Sequence, residues 1–257
     1  MQSNLLPVFL ALREVWRNKG RFLLVGVVIA LITILVLFTA GLGEGLGNGN
    51  KEYISKLDGQ MLVYQQKSDF VIPASRLPRS LLTSIRRVEG VADAGLFATS
   101  SAAIILDDKP QPLKVSMLGV EPGRPGEPPA VQGRQFSGDL ANEVIIDRSV
   151  AVRSSIKLND VITSRVTQGT QDEFYTLRVV GVSDGQQYSL QPSIFVPYFT
   201  WDRVRSKSEA EIAGGDYTAN AIIVKLIDPA EFSLVKERLL AEVDNIEIAS
   251  IDQAIQA

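Results

Sequence analysis

The side chains that could carry out acid–base or nucleophilic chemistry in this 257-residue chain are acids, serines and lysines, because the sequence contains no histidine and no cysteine. The absence of histidine and cysteine excludes disulfides, Cys/His zinc sites, cysteine nucleophiles and any triad with an imidazole base. Two acid pairs, Asp107-Asp108 and Asp172-Glu173, fall between predicted strands, where solvated turn residues are typical. We therefore expect no catalytic, cofactor-binding or metal-binding residues, although a serine–lysine dyad of distant members stays open.

The known catalytic and nucleotide-binding motifs do not occur. No G-x-S-x-G elbow, H-E-x-x-H helix or calcium loop is present. A glycine-rich run at 41–50 fits neither the phosphate-loop nor the dinucleotide pattern, and it follows an apolar helix rather than a strand. A net charge of -3 also argues against nucleic-acid binding, which requires a basic surplus.

The hydrophobic residues, 46% of the chain, are concentrated near the N-terminus. Residues 22–42 carry no charge, and at 1.5 Å per residue they extend about 30 Å, enough to cross a bilayer. Four basic residues and one acid precede this run, and the first charge after it is Glu44. The positive-inside rule then predicts a plasma (inner) membrane protein with a cytoplasmic N-terminus and residues 43–257 extracytoplasmic. A cleaved signal peptide is the less favoured alternative, because the apolar run is too long.

The first 21 residues show apolar side chains at helical spacing, and they predict an amphipathic elbow helix lying on lipid at the cytoplasmic face. An unstructured basic leader is the alternative. The residues expected to set orientation there are Arg13, Trp16, Arg17, Lys19 and Arg21. The basic members serve either as a topology signal alone or also as contacts for a cytoplasmic partner.

After the span, the segment 43–58 is expected to be a flexible juxtamembrane hinge. Its glycines, at alternate positions, favour conformational freedom or the end of a helix. They are Gly43, Gly45, Gly47 and Gly49.

The segments 59–120 and 217–257 each follow a β-α-β order. In the second, Asp228 and Pro229 mark a helix start, and one face is predicted to carry Phe232, Val235, Leu239, Leu240 and Val243. Two such halves, separated in sequence, predict a split, ferredoxin-like and porter-like α/β subdomain. Between them, 121–216 opens with a Pro/Gly-rich linker, carries several strand patterns and ends in a polar return loop at 207–216, so it is expected to be an inserted, mostly-β subdomain. The predicted fold class is α+β with one N-terminal transmembrane helix.

Several stretches carry a family resemblance. They are Leu10–Leu24, Gly133-Arg134-x-Phe136, Asn142–Asp147, Val150-Ala151, Ile156–Asp160 and Val179–Val182. Together with the long span, they resemble the permeases of the MacB and FtsX-type ABC transporter superfamily. The resemblance covers nearly the whole chain, although its motifs are hydrophobic patterns punctuated by glycine.

The resemblance implies a non-catalytic permease subunit that couples ATP hydrolysis by a separate cytoplasmic ATPase to movement of an extracytoplasmic core domain. It implies a homodimer, contact with membrane lipid and, in some members, a periplasmic adaptor. Such permeases continue into three further transmembrane helices, so the chain is expected to be the N-terminal part of a longer permease. The competing hypothesis is a single-pass, membrane-anchored binding module without an ATPase partner.

Overall fold

The computed structural model describes residues 16–106, 108–207 and 218–256. The chain divides into two compact units, Met1–Asn48 and Gly49–Ala257. A single long helix, α1, runs from Lys19 to Ser55.

In the first unit, α1 is apolar and exposed over the stretch Lys19–Leu42, which has a mean hydropathy of 3.0 and is long enough to cross a membrane. Its two threonines turn their hydroxyls back onto the helix, where Thr33 donates to the carbonyl of Ile29 and Thr39 to that of Leu35, at 2.9 and 2.8 Å. Internal pairing of this kind is what a hydrocarbon surrounding requires of a hydroxyl group. The prediction of one N-terminal apolar helix is confirmed.

The second unit is a mixed α/β domain built on one large sheet. The strands of this unit are β1 (Met61–Gln65), β2 (Leu77–Pro78), β3 (Val91–Ile105), β4 (Leu113–Val120), β5 (Gln132–Gly133), β6 (Glu143–Asp147), β7 (Val161–Gln168), β8 (Gln171–Ser183), β9 (Ser193–Pro197), β10 (Thr218–Ala219), β11 (Ala221–Leu226) and β12 (Ile246–Ser250). β2 and β10 pair with each other in a separate two-stranded sheet, and the other strands form the large sheet. Its further α-helices are α2 (Ser80–Arg87), α3 (Arg148–Ser154), α4 (Tyr198–Val204), α5 (Phe232–Glu242) and α6 (Ile251–Gln256), with short 3-10 turns at Ile72–Ala74 and Pro229–Glu231.

Four strands reproduce the predicted split β-α-β layout. They lie in the order β12-β1-β11-β3, and every neighbouring pair is antiparallel. Helix α2 connects β1 to β3 and helix α5 connects β11 to β12, which gives two β-α-β units from opposite ends of the domain. The predicted α+β fold class is confirmed.

The strands of the predicted insertion extend the same sheet. β4 pairs in parallel with β9, and β6 pairs in parallel with β8. The pairs β9–β6 and β8–β7 are antiparallel. β7 then returns to pair with the end of β3. This closure is possible because β3 is 15 residues long, so β11 pairs with its first part while β4 and β7 pair with the rest. A division of the domain at 121–216 remains a prediction.

Both faces of the sheet are covered, as the alternation of side chains along its strands requires. In β1, Met61 and Val63 belong to one buried cluster, together with residues of α2, α4 and α5. Leu62 and Tyr64 belong to the other, which the last turn of α1 and helix α6 cover. The end of the long apolar helix is therefore part of the core of the second unit.

Helix α5 departs from the prediction at one position. Val235 and Leu239 are fully buried and Val243 nearly so, but Leu240 is 45% exposed. Residues 235 and 239 are four apart and share a face, whereas Leu240 lies about 100° further round the helix. The predicted start is confirmed, because the Asp228 carboxylate accepts a hydrogen bond from the backbone N–H of Ala230 at 2.9 Å, although the first turn is 3-10.

The segment expected to be a flexible hinge is helical. Residues 43–55 continue α1 without a break. The four glycines lower helix propensity by about 1 kcal/mol each, but the stretch contains no proline, and Tyr53 and Ile54 pack into the core at its far end. Bending at Gly43, Gly45, Gly47 and Gly49 stays a prediction.

Candidate functional site

The last turn of α1 belongs to the second unit and places an aromatic side chain in its core. Tyr53 is 2% exposed. Its ring lies 5.3 Å, centroid to centroid, from those of both Phe97 on β3 and Phe195 on β9, and 6.5 Å from that of Tyr188. Its hydroxyl donates a 2.8 Å hydrogen bond to the carbonyl of Gly126. We call these five residues the Tyr53 anchor.

The position of Gly126 depends on its lack of a side chain. Its φ of +106° is one that other residues rarely adopt, and a Cβ there would meet the Cδ1 of Ile223 at 2.7 Å. Gly126 belongs to the Pro/Gly-rich linker predicted at 121–129. The linker therefore does more than connect segments, because it presents the carbonyl group that the Tyr53 hydroxyl requires.

Polar contacts hold the same helix turn to the segment after β8. The backbone N–H of Tyr53 donates to the carbonyl of Gln187 at 3.2 Å. Lys56 Nζ donates to the carbonyl of Gly185 at 2.8 Å and lies 3.7 Å from the Glu52 carboxylate. Burial, with a smaller effect from Tyr188, raises the pKa of the Tyr53 hydroxyl well above its usual value. Tyr53 therefore stays a neutral hydrogen-bond donor over the physiological pH range.

The linker is itself fixed to the domain by two acids. Glu127 accepts hydrogen bonds from the backbone N–H groups of Gly123 and Phe136 at 2.6 and 3.2 Å. Burial raises the pKa of Glu127, and these two bonds oppose the rise. Glu121 bonds to the guanidinium of Arg86 at 2.9 Å and accepts from the backbone N–H of Leu96 at 3.0 Å. The carbonyl acceptor of the Tyr53 anchor is thus held from both sides.

A cavity of about 260 Å³ adjoins the anchor, lined in part by Tyr53, Lys56, Glu127 and Gln186. Three charged groups of the described residues line it: Lys56 and Glu127 are engaged in the contacts described above, and Asp58 accepts a 2.7 Å hydrogen bond from Lys225. Within the described ranges, no three His, Cys, Asp or Glu side chains gather as a metal site requires. The contacts of the described residues around this cavity hold the end of α1 in place.

Of the two acid pairs singled out in the sequence, the pair on β8 has structural contacts, and Asp108 is exposed. Asp172 accepts a 2.8 Å hydrogen bond from the hydroxyl of Thr167 and lies 3.5 Å from Arg165. Glu173 accepts from the hydroxyl of Tyr175. Asp107 lies outside the described residues. The pair on β8 therefore satisfies neighbouring groups of the β7–β8 hairpin.

The predicted orientation residues that the structure describes lie in the first unit, around the start of α1. Trp16 is 78% exposed, and Arg17, Lys19 and Arg21 are exposed around the start of α1. Arg13, with the rest of the predicted amphipathic segment up to residue 15, lies outside the described residues, as does most of the return loop. Their roles stay predictions.

Sequence reasoning missed Tyr53. The available signal was an adjacent Tyr-Ile pair in a polar stretch just after the glycine run, at residues 53 and 54. Large apolar side chains at the end of a polar stretch need a partner surface, which the sheet supplies.

The fold is that of the extracytoplasmic domains of ABC-type transporters. The chain is similar to the periplasmic region of MacB from Actinobacillus actinomycetemcomitans, with a TM-score of 0.53 and 16% identity over 80% of this chain and 95% of that one. It is also similar to the extracellular domain of the noncanonic ABC-type transporter YknZ from Gram-positive bacteria, with a TM-score of 0.51 and 12% identity over 74% of this chain and 99% of that one.

The sequence profile of the MacB-like periplasmic core domain matches residues 22–242, and the chain belongs to this family. Two strains of Staphylococcus epidermidis each have a relative named "Putative hemin transport system permease protein HrtB", 33% identical over 79 residues. That match covers 31% of this chain and 23% of each relative, so it spans about a quarter of their length. The chain thus carries a MacB-like permease domain.

Proposed function

We propose that the chain is the N-terminal part of a permease subunit in an ABC-type export or mechanotransmission system. A separate cytoplasmic ATPase hydrolyses ATP, and the permease turns the resulting movement into rearrangement of its extracytoplasmic domain. The observation that carries this proposal is the Tyr53 anchor, which joins the end of the apolar helix to the centre of the sheet.

The anchor supports a mechanical role because its parts cannot move independently at low cost. Tyr53 contacts rings on β3 and β9, and its hydroxyl and backbone bond to the linker and to the segment after β8. Removing a large buried aromatic side chain from a core costs about 3–5 kcal/mol. A displacement of the helix end is therefore passed on to the sheet instead of being absorbed at the joint.

The same proposal includes the partners of the system. The exposed basic residues Arg17, Lys19 and Arg21, with Trp16, lie at the cytoplasmic face against anionic lipid. The subunit works as a homodimer with a cytoplasmic ABC ATPase, and a periplasmic adaptor completes the system where the cell envelope has an outer membrane. Family membership supports the ATPase partner most directly.

The test begins with the gene. We expect the DNA beyond codon 257 to encode three further apolar runs of spanning length, with a P-loop ATPase gene beside it. The complete gene product and that ATPase are then placed in lipid nanodiscs. The 257 residues contain no cysteine, and any cysteine in the added segments or the ATPase is replaced by serine. A single cysteine at Val152, which is 76% exposed, then accepts a dye.

We expect ATP to change the distance between dyes on the two copies, measured by energy transfer. An ATPase variant that binds but does not hydrolyse ATP should hold one state. Tyr53→Ala should leave ATP hydrolysis intact while reducing the distance change, and Tyr53→Phe, which keeps the ring, should retain most of it. If ATP does not change the distance between the dyes, the proposal is wrong. If no ATPase gene lies beside the permease gene, a membrane-anchored binding module is favoured instead.

A further inference from the structure

The β7–β8 hairpin has a tight, well-defined turn. Gly169 and Thr170 form a two-residue loop between Gln168 and Gln171, which are paired in register. Gly169 has a φ of +62°, as the first central position of a type II′ turn requires. In such a hairpin the closing residues are a hydrogen-bonded pair.

This turn determines which backbone groups of β8 point away from β7. Because hydrogen-bonded pairs alternate, residues 171, 173, 175 and 177 face β7, and residues 172, 174 and 176 face outward. Two contacts further along the strand agree with this alternation. The N–H of Arg178 donates outward to the carbonyl of Asn142 at 2.9 Å, and the N–H of Val179 donates to Asp160, just before β7, at 2.8 Å.

The outward side of β8 has no neighbouring strand before Arg178. β6 begins at Glu143, opposite Arg178, and the chain before it turns away, because the carbonyl of Ala141 accepts a bond from Thr200 on α4 at 2.9 Å. Within the described part of the chain, no group hydrogen-bonds to the outward N–H and C=O of Asp172, Phe174 or Thr176. We call these three residues the β8 edge.

The side chains of the β8 edge do little to prevent pairing. Exposed edges are normally protected by unmatched charges, bulges or proline. Here the Asp172 carboxylate is already matched by Arg165 and Thr167. The adjacent Glu173 is matched by Tyr175. Phe174, in the middle, is 60% exposed, so a large apolar ring lies beside three unused pairs of backbone groups.

We propose that the β8 edge pairs with the same edge of a second copy of this chain, antiparallel and with the two-fold axis at Phe174. This inference rests on the proposed function, since it supplies the contact of the proposed homodimer. Asp172 then lies opposite Thr176 of the partner subunit, and Phe174 opposite Phe174 of the partner subunit. Each of the three outward pairs exchanges two hydrogen bonds.

Self-pairing fits the edge because its outward residues are symmetric about Phe174. In this register Glu173 faces Tyr175 of the partner subunit, so the cross-strand pair is an acid and a hydroxyl group. Moving the axis to residue 173 would place Glu173 opposite Glu173 of the partner subunit, which is unfavourable. Moving it to residue 175 would bring the second strand against β6 at Arg178. The register centred on Phe174 uses all three outward positions.

The test uses the absence of native cysteine. In a hydrogen-bonded antiparallel pair the Cα atoms lie about 5.5 Å apart, within the range that a disulfide bridges. The full chain carrying Phe174→Cys, in membranes under mild oxidation, should therefore form a covalent dimer on a non-reducing gel. Val152→Cys, on the exposed residue of α3, measures random collision. Thr176→Cys is the matched control, because its two copies would lie about four residues apart along the strands, roughly 13 Å.

A mixture of differently tagged Asp172→Cys and Thr176→Cys chains should cross-link, since these positions are opposite each other. Adding Thr176→Pro to the Phe174→Cys chain removes an outward N–H without touching the bonds to β7, and we expect cross-linking to fall at least tenfold with the circular dichroism unchanged. Cross-linking of Phe174→Cys no faster than Val152→Cys, or equal to Thr176→Cys, would overturn the proposal, as would an unchanged rate with proline. ATP-driven movement in the nanodiscs is a separate readout. If the movement occurs but the Phe174→Cys cross-link does not form, only the edge pairing is wrong. If the cross-link forms but ATP causes no movement, the proposed function is wrong.

Discussion

The Tyr53 anchor and the β8 edge belong to one sheet and differ in whether their groups have partners. At the anchor, a side chain from outside the sheet is buried, stacked and hydrogen-bonded to a linker whose backbone only glycine accommodates. At the edge, backbone groups of the sheet itself have no partner among the described residues, and the central ring is exposed. The difference separates a region whose contacts are filled from one whose backbone groups have no partner among the described residues.

The largest expected effect comes from Tyr53→Ala. Loss of the buried ring and its hydrogen bond should lower the free energy of unfolding by about 3–5 kcal/mol. Urea unfolding of the chain in detergent, followed by circular dichroism, measures it. Tyr53→Phe is the matched control and should cost about 1 kcal/mol, the net value of one hydrogen bond. A loss below 1 kcal/mol for Tyr53→Ala would show that the helix end only rests on the sheet.

The second prediction concerns the linker. Gly126→Ala forces a side chain into a positive-φ conformation and against Ile223, and should cost about 2–3 kcal/mol. Gly123, in the same linker with a φ of +71° and open space around it, is the control. Gly123→Ala should cost about 1 kcal/mol, from backbone strain alone. Equal losses in thermal unfolding would mean that Gly126 does not need to approach the core closely.

The third prediction concerns Glu143, where β6 closes the outward side of β8. The Arg134 guanidinium, bonded to Glu143 at 2.5 and 3.2 Å, lowers the pKa of that carboxyl; partial burial opposes this, and Ser137 adds to it. Glu143→Gln should therefore cost about 1 kcal/mol at pH 7.

The pH dependence of this loss has a definite sign. Because the folded-state pKa of Glu143 lies below the unfolded value of about 4.3, the stabilisation is present above that pH and is lost as the pH falls through the folded value. Unfolding curves of wild type and Glu143→Gln should converge once the pH lies below the lowered folded-state pKa of Glu143. Asp184→Asn, which breaks a more exposed pair with Arg148, should cost less than 0.5 kcal/mol at any pH. A loss for Glu143→Gln that does not change with pH would contradict the role of the charge.

The smallest expected effect on stability is at the β8 edge. Phe174→Ser replaces an exposed ring that packs little within its own chain, so the free energy of unfolding should change by less than about 0.5 kcal/mol. Dilution of the variant in detergent should nevertheless give monomers at concentrations where the wild type is dimeric. A stability loss above 1 kcal/mol would show that Phe174 is packed like the anchor, and the contrast between the two regions would disappear.

Local patterns were sufficient for most elements of the fold. The alternating strands of the split layer and the Asp228 helix start depend on neighbouring residues, and they occur close to where they were predicted. The pairing of the inserted strands was not predictable, because it depends on contacts between distant residues such as those joining β7 to the end of β3. The prediction placed Leu240 on the buried face of α5, but Leu240 is 45% exposed. The spacing of apolar residues does not show whether a position at the margin of a helix face is buried.

The candidate site was harder to predict than the fold, for a related reason. Tyr53 takes its partners from residues 97, 126, 188 and 195, so no sequence window contains the arrangement. The glycine run before it favoured a hinge, but helix propensity is a weak preference that packing at the helix end can outweigh. The β8 edge follows from a two-residue turn and a register, neither of which is visible until strands are paired.

The position of Tyr53 also decides where the extracytoplasmic domain can be cut for recombinant production. A boundary chosen from strand patterns would start near residue 59, just before β1. Such a fragment would lack Tyr53 and Ile54, leaving an apolar hole in the sheet face that they fill. The shortest expression fragment that keeps this core intact begins inside the last turns of the membrane helix.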